Sequence, residues 1–277
     1  MSHQLNTNNS SIVLHVRSED GAQHTDGFNT DFSVYLSQPI KCRDDENFLI
    51  SLSSAQIPYS FYNIQANLNS SLAVNGETIS ITPANYNVNT FAAEVQKKVP
   101  QLLMSYNKSF GKYVFSSTED VTLTLTALSP LSQMGLVAGD HTITPLLPIS
   151  STNVVSMFSF NSLFIKTPNL FSLNSIESRH GGYSDILSKI EIQSSPNEYI
   201  YHLASMNQHK SLIRQKTISM ISFALCATSN HLINLNGLGW EFSVQFDIVK
   251  VNKESALDVL ASLPRILPKS DKSAKRI

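Results

Sequence analysis

The chain of 277 residues is 42% hydrophobic but only 15% charged, with a formal net charge of −1. That length and apolar content suffice for one large β domain or two ordinary ones. The near-zero charge gives no global attraction to nucleic acid or an acidic membrane, and no apolar run approaches membrane-spanning length. Ser, Thr and Asn stand where charge is missing, which suits sheets with one dry face and one neutral polar face. Such surfaces can be buried against other proteins at little desolvation cost, which favours an assembly subunit over a free soluble enzyme. Two cysteines, Cys42 and Cys226, form neither a disulfide framework nor a metal site. Cys226, in an apolar strand, reads as a small buried hydrophobe.

Residues 1–10 read as a flexible polar arm. They lack the apolar stretch of a signal peptide, so a reducing compartment is expected. Ile12, Leu14 and Val16 begin a strand that stops at Glu19-Asp20-Gly21. Phe32, Val34 and Leu36 alternate with polar neighbours in a second strand, and Asp44-Asp45-Glu46 reads as a solvated turn. Phe48, Ile50 and Leu52 then alternate at period 2, but the next apolar positions are Ala55 and Ile57, one residue out of phase. Keeping both sets on one face requires a bulge or bend near Ser53–Ser54. Pro58 ends this strand, and Tyr59, Phe61 and Tyr62 place three rings within four residues of a corner. The strand's partners are expected at 216–226 and 240–251. The rings must press against the chain's own core or against a neighbouring subunit.

Leu72–Ile81 reads as a hairpin on a type I′ Asn75-Gly76 turn, with Val74 opposite Glu77 and Leu72 opposite Ile79. Val88, Phe91, Ala92, Val95 and Val99 fall at helical spacing behind Asn87 or Asn89 as N-cap, and Pro100 stops the helix. Lys112–Ser116 and Val121–Leu128 read as a further hairpin. Ser132–Val137 reads as one helical turn; its single glycine, with no Lys-Ser/Thr after it, is no phosphate loop. Strands are expected within Thr142–Leu147 and Val154–Lys166, then at Ile186–Ile192 and Tyr199–Ala204 around Ser195-Pro196-Asn197. Arg179-His-Gly-Gly-Tyr183 reads as a loop. Thr217–Ala227 carries a second phase shift: Ile218 and Met220 on one face, then Ile221, Phe223 and Leu225. Trp240, Phe242, Val244, Phe246 and Ile248 alternate strictly, and residues 253–263 form a short amphipathic helix before a basic tail at 268–277.

Eight strands with long connections and no strand–helix alternation predict an all-β, Greek-key, eight-stranded single jelly-roll sandwich. The expected organisation is an arm at 1–10, one jelly roll at 11–252 with an inserted hairpin-plus-helix segment at about 72–136, and a helix and basic tail at 253–277. Phe32, Phe48, Ile50, Leu52, Trp240, Phe242, Val244 and Phe246 are the expected core.

Several stretches carry a family likeness. Phe32-Ser-Val-Tyr-Leu-Ser-Gln-Pro-Ile40 and Ile50–Ile64 resemble the N-terminal half of penton (vertex capsid) proteins of virophages and polinton-like viruses. Ile81-Thr-Pro-Ala-Asn-Tyr86, Met134-Gly-Leu136, Ile186-Leu-Ser-Lys-Ile190 and Leu235–Val244 are similar to later segments there, so the resemblance spans most of residues 30–250. It implies a single jelly roll standing roughly upright in the capsid. Five copies would close each fivefold vertex of an icosahedral double-stranded DNA virus, within the virion and after assembly in the host cytoplasm or nucleus. Double jelly-roll major capsid proteins would surround the ring, with a minor capsid or cement protein as a further partner. The resemblance supplies no catalytic residue and no cofactor.

A closed ring requires two different, complementary patches on each subunit. Tyr59, Phe61, Tyr62 and Asn63 are the candidate for one of them. The basic tail could touch nucleic acid or an acidic neighbour. A competing class is a jelly-roll binding module that takes a receptor or glycan through loops such as 228–239. An enzyme of cupin type would need grouped His and Glu on inward strand faces, and the eight histidines show no such grouping.

Overall fold

The structure, a computed structural model, describes residues 10–24, 29–158, 160–170, 172–178, 181–205, 208–227 and 231–250. Residues 1–9 of the expected arm, the helix at 253–263, the basic tail and the Arg179-His180 pair lie outside the described residues. In chain order the strands and helices begin with β1 (Ser11–Arg17), β2 (Ala22–Gln23), β3 (Asp31–Lys41) and β4 (Glu46–Pro58). Next come β5 (Ser71–Val74), β6 (Glu77–Ser80), α1 (Val88–Lys98), β7 (Leu102–Asn107), β8 (Lys112–Ser117), β9 (Val121–Leu125), α2 (Leu131–Met134), β10 (Gly139–Ile143) and β11 (Ile149–Ser150). The remainder are β12 (Ser162–Lys166), β13 (Ile176–Glu177), β14 (Gly182–Tyr183), β15 (Ile186–Glu191), β16 (Tyr199–Leu203), β17 (Ser211–Ile213), β18 (Thr217–Ala227) and β19 (Glu241–Lys250).

Two antiparallel sheets face each other. One has the order β1-β19-β4-β16, with β17 also paired to β4; the other has the order β15-β12-β18-β3-β2. The chain crosses between sheets at every connection of the principal strands except β12 to β15, and these crossings give the sandwich its jelly-roll connectivity. Phe32, Phe48, Ile50, Leu52, Trp240, Phe242, Val244 and Phe246 lie together in the core between the sheets. The expected bulge is there. Ser243 faces Ser54 but Val244 faces Leu52, so Ser53 is the extra residue that turns Phe48, Ile50, Leu52, Ala55 and Ile57 all inward. In β18 the phase shift has its cause in the partner strand. Ile218 pairs with Ile40 and Met220 with Tyr35, so residues 36–39, including donor-less Pro39, lie opposite Ser219 alone. Ile218 and Ile221 both reach the core, whereas Met220, expected beside Ile218, is only half-buried.

Four expectations need correction. The central strand β4 pairs with β19, β16 and β17, and not with β18, which belongs to the opposite sheet beside β3. Lys112–Ser116 and Val121–Leu128 are not a hairpin: β8 pairs with β7 and β11, while β9 pairs with β5 and β10. The strand that displaces β9 is Leu102–Asn107, joined to β8 by a short turn in which the Asn107 side chain accepts from Ser109 N–H at 3.0 Å and Gly111 takes φ +63. Among the described residues of Val154–Lys166, only Ser162–Lys166 is strand. Ile186–Ile192 and Tyr199–Ala204, expected around one turn, belong to opposite sheets as β15 and β16.

The inserted segment has its own core, built from Phe91, Val95, Tyr113, Phe115, Leu123 and neighbours between two small sheets, β10-β9-β5-β6 and β11-β8-β7, with α1. It draws on residues from Ile64 to Met157, a longer stretch than the expected 72–136. Its hairpin has the expected register, with Asn75 at φ +50 and Gly76 at φ +86 as a type I′ turn requires. Asn87 is the N-cap of α1: its side chain accepts from Asn89 and Thr90 N–H, and Thr90 answers with its hydroxyl in a capping box.

Phe246→Ala, which would empty an edge-to-face contact with Phe48 at 6.3 Å, is expected to cost about 3–5 kcal/mol of unfolding free energy in urea titration. Tyr35→Ser, at an exposed position of β3, should change it by no more than about 0.5 kcal/mol.

Candidate functional site

Beyond Pro58 the corner folds back onto the sandwich. Tyr59 N–H donates to Glu198 O at 2.8 Å, and Ser60 Oγ donates to Leu235 O at 2.6 Å. Tyr59 and Phe61 stack with ring centroids 4.4 Å apart, and Phe160 packs on Phe61 at 5.9 Å. Both Tyr59 and Phe61 belong to the jelly-roll core, and Phe61 is wholly buried. Tyr62 alone of the three rings keeps substantial exposure, at 36%. The corner therefore spends most of its apolar area on the chain's own sandwich and leaves one ring for any neighbour.

Asn63, also buried, has a different task. Its side-chain amide donates to Tyr86 O at 2.7 Å and Met157 O at 2.9 Å, while its carbonyl oxygen accepts from Tyr86 N–H at 2.9 Å. Its own N–H donates to Asn85 Oδ1 at 2.9 Å, and its backbone oxygen accepts from Asn69 Nδ2 at 2.8 Å. One side chain thus joins the strand that leaves the sandwich, the approach to α1 and the segment that returns. An amide can do this because it offers two donors and an acceptor on one planar group.

The sequence reading missed the side of the sandwich where β16 forms an edge of its sheet. Ile200 points into the core, and Tyr199, Tyr201 and Leu203 point out, at 47%, 67% and 79% exposure. The two tyrosine rings lie 6.2 Å apart. The period-2 pattern was visible in Tyr-Ile-Tyr-His-Leu, but with apolar residues at both phases it did not say which face was wet. Beside this stripe a trough of about 450 Å³ crosses the outer face of the sheet past Gln56, Ser54 and Ser243 to His15 and Arg17. The cross-strand neighbours carry little net charge there: Tyr201 faces Gln56, and Leu203 faces Ser54.

His202, on the core side of the same strand, has a buried Nε2 without a hydrogen-bond partner among the described residues. Burial holds its imidazole below the ordinary histidine value of 6.5. The loop at 231–239 is largely spent on structure, since Ile233 and Leu235 fill the core and Asn234 Oδ1 accepts from Asn236 N–H at 2.8 Å; residues 228–230 lie outside the described residues. Among the described residues no group of three His, Cys, Asp or Glu could hold a metal ion, and no helix is long and apolar enough to cross a membrane.

No protein-family model matches the chain. No curated protein matches it. Among solved structures, the crystal structure of a mavirus penton protein is similar over 87% of this chain and 100% of its own, at 11% identity and a TM-score of 0.46.

Asn63→Ala would remove this partner from Tyr86 N–H and from the part-buried carbonyls of Tyr86 and Met157. It should lower stability by several kcal/mol, at about 1–3 kcal/mol per orphaned group, measured by urea unfolding. Because the folded-state pKa of His202 is depressed, the unfolded chain takes up the proton first, and stability is lost as pH falls below about 6.5. The loss of unfolding midpoint between about pH 7.5 and 5.5 should be smaller in His202→Gln than in the parent chain.

Proposed function

We propose that this chain is a structural capsid protein, five copies of which close a fivefold vertex of an icosahedral double-stranded DNA virus particle. Fold alone does not carry a function. The observation that carries this one is that the stretches with the penton resemblance fall in chain order along the jelly roll and the segment inserted in it. Phe32–Ile40 lies in β3, Ile50–Ile64 runs through β4 and the corner, and Ile186–Ile190 lies in β15. Ile81–Tyr86 leads into α1, Met134-Gly-Leu136 closes α2 on a left-handed Gly135, and Leu235–Val244 leads into β19.

The role is assembly, not catalysis. A five-membered ring needs a heterologous seam. The stripe of Tyr199, Tyr201 and Leu203 supports one side of it better than the corner does, because these side chains are free to be covered while Phe61 is not. Major capsid proteins of the double jelly-roll type would meet the ring from outside, with a minor capsid or cement protein as a further neighbour, and the protein would reside in the virion at the vertex. The segments at 1–9 and 251–277 are where contacts specific to the particle are expected.

Light scattering of the purified chain should give a mass about five times 30.6 kDa. Tyr201→Ser combined with Leu203→Ser should leave a folded monomer, through a loss of about 2 kcal/mol or more per seam. Phe61→Ser should instead lower the unfolding midpoint. A parent chain that stays monomeric at every concentration would remove the ring, and an unaltered pentamer in the double variant would remove this face as its seam.

A further inference from the structure

A second surface lies away from the β16 stripe. A cleft of about 810 Å³ opens between the sandwich and the inserted segment, bounded by residues 157, 158, 160–162, 189, 191–196 and 85–87. That volume is in the range of small-ligand sites. Three of the rings in its wall differ in depth. Tyr86 and Phe160 are half-buried, whereas Phe158, on a stretch without regular structure, is 73% exposed. An exposed phenylalanine at the lip of a cleft offers a flat apolar face largely uncovered by the described residues.

Several polar side chains of the wall are exposed and turned to solvent. Asn85 and Asn87 use their side-chain oxygens internally, on Asn63 N–H and on the first turn of α1, and their amide nitrogens make no hydrogen bond among the described residues. The side chains of Asn161 and Gln193 make none there, and Lys189 and Glu191, two apart on one strand, make no ion pair there. The cleft therefore presents amide donors and acceptors, one ammonium and one carboxylate around flat apolar faces, with no net charge.

We infer that this cleft is a carbohydrate-binding site for a short oligosaccharide. A sugar ring matches the wall on both counts. Its C–H face lies on aromatic rings, and its hydroxyl groups donate and accept at once, as amide, carboxylate and ammonium groups require. An acidic ligand would need more than the single ammonium, and a purely apolar one would strand the free amides and the charged pair. The position suits the task as well, because Phe158 and Asn161 come from the returning segment and Gln193 from the sandwich, so one ligand would bridge both bodies. The inference does not depend on the capsid reading; a monomer could bind in the same way.

The test is binding of the purified chain to an array of galactose-, N-acetylglucosamine- and mannose-terminated oligosaccharides, alongside Phe158→Ala and Gln193→Ala. Both positions are exposed, so the variants should fold, and equal melting temperatures establish that they do. Retention of one glycan group by the parent, with about tenfold weaker binding by each variant, is the expected result. Binding that both variants leave unchanged would place the glycan elsewhere and overturn the assignment. Absence of binding to every glycan would overturn it too, as would protection of residues 157–161 from protease in an assembled oligomer, since a neighbouring subunit would then fill the cleft.

Discussion

A central strand of thirteen residues must show its core two apolar registers on one face, and much of the molecule follows from how it does so. β4 is paired along both sides, by β19 on one and by β16 and β17 on the other, so its inward residues are enclosed by the whole sheet. Without the extra residue at Ser53, either Phe48, Ile50 and Leu52 or Ala55 and Ile57 would face water. The same bulge breaks the partner strand on the other side. Ala204 N–H donates to Ser53 O at 2.9 Å, and there the neighbouring strand leaves the sheet before returning as β17. The outward stripe and the half-buried His202 both lie on β16, the strand that ends at this interruption.

Much of this was legible in the residues. Strict alternation from Trp240 onward, the Asn75-Gly76 turn, the Asn-capped helix and the phase slip at Ser53 each have a local physical cause, and the structure has all four. Pairing was not legible in the same way. Apolar alternation says that β4 and β18 are both buried, but not whether they are neighbours or face one another across the core. Nor does it separate Lys112–Ser117 from Val121–Leu125, whose short connection looks like a hairpin and in fact carries the chain from one small sheet to another. The three rings at 59–62 could not be assigned either. Composition shows that they must be covered, and only the sandwich shows that Tyr59 and Phe61 are covered from within.

The two cores meet through polar groups. Asn63 and the amides around it join the sandwich to the inserted segment by directed hydrogen bonds, and the cleft beside that joint is lined by the same residue type. A protein this poor in charge uses asparagine where others use ion pairs. Ion pairs occur elsewhere, among them Lys166 with Asp185 at 2.8 Å and Lys210 with Asp247 at 2.6 Å. Neutral contacts are insensitive to salt, so the internal geometry should hold across a wide range of ionic strength.

The pairing of β1 with β19 matches Ser11 with Asp247, and β19 in turn lies against β4. The strand that completes the first sheet is thus the last one described. A ribosome delivers β4 with its apolar face bare and must add nearly two hundred residues before its chief partner arrives. The inserted segment closes its hairpins over short distances and can form first. Until β19 emerges, the apolar faces of the nascent sandwich have only each other for cover. Synthesis, and not the finished fold, is the stage at which this chain is most exposed to aggregation.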